Sequence, residues 1–318
     1  MNAPETFGDY ELIDCFARGG MGELFRARQR GIDDFERLLC VKRISAEHVG
    51  KWPFEEMFVS EARITAQLCH PNVPQIHAYG RVSGVPFMAM ELVNGPDLGA
   101  TMMSARDRKA EIPLSFALGV ASGLAAALSH AHGRRGSDGA PMELVHRDVS
   151  PHNVVLSYEG AVKLVDFGLA RAQLGGRLLT PPGRFDGNEA YRAPEQLVDP
   201  MVDHRADVFS LGTLLYELVA GEPCFRGDTP EEIAEQVTTH QPDLGALASR
   251  RGLPDAFVRV LDRSLRKSPA DRYASAAAME IDLEAAAEAC SFVGPGPIAR
   301  FLETLARQNE LPGSRAKA

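Results

Sequence analysis

The sequence predicts an α+β protein of two lobes: a small β-rich lobe with one helix, then a larger, mainly helical lobe. Three observations carry this. Tyr10 to Ile44 reads as strand-like runs broken by glycines. The later chain holds long apolar helical runs, Phe116–Leu128 and Val208–Ala220. The 318 residues, 45% of them hydrophobic, are enough for a sizeable core and suggest about two lobes.

In chain order, CFARGGMGELFRAR places Gly19, Gly20 and Gly22 between two β-like runs. Glycines there let backbone N–H groups approach phosphates and point at them. RQRGIDDFER is a polar extended turn, and LLCVKRI is the next strand. Lys42 on that strand is flanked by Cys40, Val41 and Ile44, and a buried lone charge there needs a partner. PFEEMFVSEARITAQL reads as a helix with Pro53 near its first turn and an apolar face of Phe54, Met57, Phe58, Ala62 and Leu68. HPNVPQIHAYG returns to strands, and Leu114 to His132 is an alanine-rich helix, apolar nearly all round and therefore buried. Neither long apolar run reaches the roughly 18 residues of a membrane span.

The stretch LVHRDVSPHNVVLSYEGAVKLVDFG carries the chemistry. It holds His146-Arg147-Asp148, then Asn153, then Asp166-Phe167-Gly168. An aspartate can orient and deprotonate a hydroxyl, and an asparagine with a second aspartate can hold Mg²⁺ between phosphates. VVLSYEGAVKLV is β-rich and turned at Glu159-Gly160, so it reads as a hairpin that brings Asn153 and Asp166 to one end.

With Ala193-Pro194-Glu195 added downstream, this ordered set resembles the Hanks-type (eukaryotic-like) protein kinases, the bacterial serine/threonine branch in particular, from about Tyr10 to Glu284. The resemblance implies a bilobal protein kinase fold over 10–289 that divides near Val93 into lobes 10–93 and 94–289, with a tail over 1–9 before it, a short helix and tail over 290–318 after it, and ATP·Mg²⁺ between the lobes. It assigns Asp148 as catalytic base, Asn153 and Asp166 as metal ligands, and Lys42 paired with Glu61 as the holder of the α- and β-phosphates. Ala17, Gly19 and Gly22 fall on the glycine-loop pattern, with alanine replacing its first glycine. Leu24, Cys40, Met90 and Val155 fall where the family lines the nucleotide, with Met90 as gatekeeper. The hinge follows at Glu91 to Val93, where backbone groups would bond the adenine and the side chains say little. His146 and Phe167 are packing residues. Asp207 would anchor the catalytic loop, and Glu195 should pair with Arg272 inside the protein.

Two positions depart from that pattern. Ser150 stands where serine/threonine kinases carry a lysine that bonds the transferring phosphate. Asn188 replaces the threonine that bridges this lysine and the catalytic aspartate. Both members of one hydrogen-bonded set have changed, which reads as a re-formed network. His152, just before Asn153, is a candidate to replace the missing cation in part, since opposite charge would favour an imidazolium beside phosphates. The activation loop, by position, runs from Gly168 to Ala193, and Thr180 is its only hydroxyl residue besides Tyr191. A phosphate on Thr180 could pair with Arg147 and order the loop.

The expected function is phosphorylation of protein serine and threonine hydroxyls, with autophosphorylation at Thr180. A pseudokinase or nucleotide-binding scaffold is the alternative raised by Ser150 and Asn188, and tyrosine preference stays open through His152. The net charge of −9 disfavours a nucleic-acid partner. Five scattered cysteines without a CxxC pair, and an N-terminus without basic or apolar leader regions, point to a cytoplasmic protein with no membrane contact. With no sensor or anchor after the domain, the activating signal is expected from a regulatory protein, a dimer partner or a soluble ligand. The helix in IARFLETLARQ puts Ile298, Phe301, Leu302 and Leu305 on one face, which either binds a partner or, more commonly, folds back.

Overall fold

A computed structural model of the chain describes residues 4–19, 22–31, 35–167, 188–199, 201–290 and 296–307. The first lobe is built on the two-residue alternation of its strands. These are β1 (Glu5–Phe7), β2 (Tyr10–Arg18), β3 (Gly22–Arg30), β4 (Glu36–Ile44), β5 (Ile76–Val82) and β6 (Val85–Met90). They form one antiparallel sheet in the order β1-β2-β3-β4-β6-β5. Phe25 and Ala27 of β3, Leu39 and Val41 of β4, and Phe87 and Ala89 of β6 share one face and one apolar cluster. The sheet curls until Phe7 of β1 meets Phe87 edge-on, with ring centroids 5.5 Å apart. The segment expected as a tail over 1–9 therefore contributes a strand, and Phe7 is buried because the curl closes on it.

The opposite face of the sheet looks into the cleft and onto α1 (Phe54–Thr65). Glu55 and Glu56 occupy the first turn of α1, where acidic side chains complement the helix dipole. Phe58 and Ala62 of α1 pack with Ile44 and Met88 of the sheet, and Glu61 is carried on the same buried side.

The second lobe surrounds α3 (Leu114–His132), whose alanines and glycines admit neighbours on several sides. α2 (Leu98–Asp107) precedes it, and β7 (Val154–Leu156) and β8 (Val162–Leu164) follow as the expected hairpin. Beyond come α4 (Arg205–Ala220), α5 (Pro230–Thr239), α6 (Leu244–Arg251), α7 (Asp255–Ser264), α8 (Ala276–Ala289) and α9 (Gly296–Arg307). At the start of α5 the Thr229 hydroxyl accepts from the Glu232 N–H, while the Glu232 carboxylate takes the Asp228 N–H instead of closing a reciprocal box. The face of α9 folds back on its own lobe. Ile298, Phe301, Leu302 and Leu305 are buried, and Phe301 meets Phe116 of α3 with centroids 4.9 Å apart. A Cβ at Gly119 of α3 would lie 3.3 Å from the Ile298 side chain, so a glycine there lets the two helices approach closely. Burying such side chains is worth about 1.5–3 kcal/mol each.

Candidate active site

The lobes meet at one apolar seam. Ile64 of α1, with Leu68 and Val73 just beyond it, joins the core that holds Phe167, Leu164 and α3. Phe167 and His146 are each almost fully buried and meet edge-on with centroids 4.7 Å apart. The His146 Nε2 donates to the Val165 carbonyl at 3.2 Å, and its Nδ1 accepts the Asp148 N–H at 3.3 Å. The packing reading of both residues stands.

The catalytic loop is hung from Asp207. Its carboxylate accepts the His146 N–H at 2.8 Å and the Arg147 N–H at 2.7 Å, and the His132 Nε2 lies 2.8 Å away. Arg147 has φ +71°, a left-handed conformation that a non-glycine residue keeps only when its surroundings hold it. Burial alone would raise the Asp207 carboxyl. The hydrogen bond and charge of His132, with His146 and the Arg147 N–H, outweigh burial and hold it below the usual carboxylate range. Gln196 ties the same loop to Ala193-Pro194-Glu195 by donating to the Arg147 carbonyl and accepting the Ala193 N–H. Glu195 and Arg272 pair at 2.6 and 2.8 Å. The Arg272 side chain is fully buried and that of Glu195 only partly.

Asp148 sits between two amides. The Asn153 Nδ2 donates to Asp148 Oδ2 and to its backbone carbonyl, both at 2.8 Å. The Asn188 Nδ2 donates to Asp148 Oδ1 at 2.9 Å. The Asn188 half of the altered set is thus re-formed; among the described residues the Ser150 half is not. With Nδ2 committed, Asn153 has its Oδ1 left to face a metal. The Val165 N–H donates to the Asn153 carbonyl at 2.9 Å, so the hairpin brings Asn153 beside Asp166. Asp166, at φ +62°, turns a half-exposed carboxylate into the cleft, with Oδ1 3.8 Å from the Lys42 ammonium. Lys42 in turn donates to Glu61 Oε1 at 2.5 Å, and Glu61 is only 4% exposed. Burial pulls the Lys42 ammonium down, but Asp166 and Glu61 outweigh it and hold the lysine charged, above its usual range. An amide and a carboxylate oxygen are hard donors of the kind Mg²⁺ takes, and a charged lysine beside them suits phosphate. These residues fit the metal nucleotide.

The roof of the cleft follows from sheet register. Ala17 lies opposite Leu24, Leu24 opposite Lys42, and Cys40 opposite Met90. Leu24, Cys40 and Lys42 therefore share the cleft face. Val155 rises from below, bridged to Asp97. A Cβ at Gly22 would lie 2.7 Å from the Arg43 carbonyl, which explains a glycine there. Gly19 closes the turn by donating its N–H to the Gly22 carbonyl at 2.9 Å. In the hinge, Val93 enters no backbone hydrogen bond among the described residues, so its N–H and carbonyl are unspent.

Two expectations change. Ser150 is fully buried and its hydroxyl finds no partner among the described residues. A short neutral side chain enclosed in this way does not present itself to a phosphate. His152 is 72% exposed at its side chain and turned to the start of α2, with Nδ1 3.7 Å from Asp97 Oδ1 and its ring packed over Gly99. It stands at the rim with Asp97, not as a cation over Asp148. Asp97 itself, which also caps α2 through the Ala100 N–H, went unnoticed in the sequence, although an aspartate ahead of a helix is a visible capping signal. Thr180 lies outside the described residues.

Residues 10–283 match the family described as protein kinase domain. This chain belongs to that family. The kinase domain is 36% identical over 302 residues to the tyrosine-protein kinase MasK of Myxococcus xanthus, covering 94% of this chain and 46% of that one. It is 35% identical over 312 residues to the serine/threonine-protein kinase PknH of Mycobacterium bovis, covering 98% and 48%. It is similar to the crystal structure of the Mycobacterium tuberculosis PknI kinase domain, with TM-score 0.63, 26% identity and coverage of 90% and 99%. The chain spans about half the length of the first two relatives.

Proposed function

We propose that this kinase domain transfers the γ-phosphate of ATP to serine and threonine hydroxyls of protein substrates. The observation that carries the reading is the continuous line from the Glu61–Lys42 pair to Asp166, facing an Asp148 whose two oxygens are each held by an amide. Asp148 orients the acceptor hydroxyl and takes its proton. The acceptor oxygen bonds the γ-phosphorus as the bond to the β,γ-bridging oxygen breaks, and ADP leaves. Lys42 holds the nucleotide phosphates, and Glu61 holds Lys42. Asn153 and Asp166 would hold Mg²⁺, which neutralises charge on the phosphates when bound. The Val93 backbone would receive the adenine beneath Ala17, Leu24, Cys40 and Met90. Thr180 is the proposed autophosphorylation site, with Arg147 as its partner. The five cysteines are free thiols, in keeping with a reducing, cytoplasmic setting.

Tyrosine is a second acceptor class to test. Ser150 leaves no lysine beside Asp148, and one relative is named a tyrosine kinase. Incubation with γ-labelled ATP, Mg²⁺ and a mixed protein acceptor, followed by phosphoamino-acid analysis and peptide mapping, decides between these readings. Phosphoserine and phosphothreonine, absent with Asp166→Ala, are expected. ADP binding with no transfer to any hydroxyl would leave the scaffold reading in their place.

A further inference from the structure

Lys163 lies on β8, is 8% exposed, and has no part in the Asp148 cluster. A buried ammonium is costly unless paired. Its Nζ donates at 2.7 Å to Oε2 of Glu91, the first hinge residue after β6. The same oxygen accepts the Gln75 N–H at 3.2 Å, and the Glu91 N–H donates to the Gln75 carbonyl at 2.9 Å. Glu91 is therefore fixed to two separate segments, and its side chain matters where the sequence reading gave it none.

The hinge is fastened to the hairpin further along as well. The Tyr158 N–H donates to the Asn94 carbonyl at 3.0 Å and the Leu156 N–H to the Pro96 carbonyl at 2.9 Å. At Gly95 a Cβ would lie 2.0 Å from the Leu156 carbonyl oxygen, so hinge and β7 touch backbone to backbone. On its other side β8 is held by Asn72, which accepts the Leu164 N–H on its carbonyl and donates its amide to the Val162 carbonyl, each at 2.8 Å. The one hairpin thus carries Asn153 and Asp166 at one end and grips the hinge along its side.

From this placement we infer that Lys163 is a positioning residue for the nucleotide: through Glu91 it sets the hinge backbone that receives the adenine against the hairpin that carries the metal ligands. The inference rests on the kinase reading of the cleft. An ion pair that only stabilised the fold would leave nucleotide affinity untouched once the protein is folded.

The test uses Lys163→Met, Lys163→Arg and Glu91→Gln in the whole chain. ADP·Mg²⁺ affinity is measured by calorimetry, hydrogen exchange of the 91–97 amides in nucleotide-free protein, and turnover at saturating ATP. Lys163→Met and Glu91→Gln are each expected to weaken ADP on the order of tenfold, the scale of one lost charge-pair contact. Both are expected to speed exchange at 91–97, with turnover falling less than affinity. Lys163→Arg, which keeps the charge, restores affinity and protection. Unchanged ADP affinity and exchange in either folded charge-removing variant overturns the inference. Wild type that fails to bind ADP·Mg²⁺ overturns the kinase reading itself and the inference with it.

Discussion

Asn188 shows how a substituted residue can be placed chemically. The family pattern sets a threonine there, bridging to a lysine that this chain replaces with Ser150. An asparagine amide reaches the Asp148 carboxylate directly and donates at 2.9 Å without needing the lysine. Asp148 is therefore held by two neutral amides, and its base function depends on both. Asn188→Ala removes one donor from the Asp148 carboxylate and loosens its orientation. Turnover is expected to fall on the order of tenfold or more, with the KM for ATP little changed, because the amide touches the base and not the nucleotide. Steady-state kinetics at varied ATP reads the split. An equal rise in KM with unchanged turnover would place Asn188 in nucleotide binding instead.

At the scale of elements, the strands over 10–44, the hairpin and the long buried helix were legible because each carries a local signal. Phe25/Ala27 and Leu39/Val41 alternate, Glu159-Gly160 turns, and α3 is apolar all round. β1 was not legible. Three residues offer no period, and Phe7 is buried only because the sheet curls back on it. The Lys163–Glu91 pair was hidden for the same kind of reason: its partners are far apart in sequence and only the folded hinge joins them. Ser150 and His152 misled because a position in a motif gives no burial and no direction. α9 is the intermediate case. Its apolar stripe was plain, but the surface that takes it, with Gly119 opposite Ile298, was not. α9 lies beyond the 10–283 family match, yet it shares the core of the second lobe. Phe301→Ala is expected to destabilise the domain by about 3 kcal/mol, the ordinary penalty for a buried aromatic truncated to alanine. Urea unfolding should show a lower midpoint at unchanged slope. An unchanged midpoint would mean that α9 is only loosely docked.

For the whole molecule, Asp207 is the point where packing and catalysis share one group. It joins α3 through His132, the catalytic loop through two N–H groups, and α4, on which it sits. The loop's left-handed turn at Arg147 is held by the same carboxylate. Its native pKa lies below the usual value of about 3.9 that the unfolded chain would show. In the window between the two values the unfolded chain binds the proton and the folded one does not. Stability from this group is then fully present above the ordinary carboxylate pKa and is lost as pH falls through the depressed native one. Asp207→Asn cannot ionise, so it lacks that dependence, and near neutral pH it should be less stable by about 2–4 kcal/mol through its weakened bonds to His132 and the loop. The gap between wild type and Asp207→Asn, measured by urea unfolding at stepped pH, is expected to hold from neutral pH down to about 4 and to shrink below it. A gap that stayed constant into stronger acid would show that the carboxylate gains nothing from its charge. The advantage of aspartate over asparagine at this position would then be one of shape and hydrogen-bond geometry, not of charge.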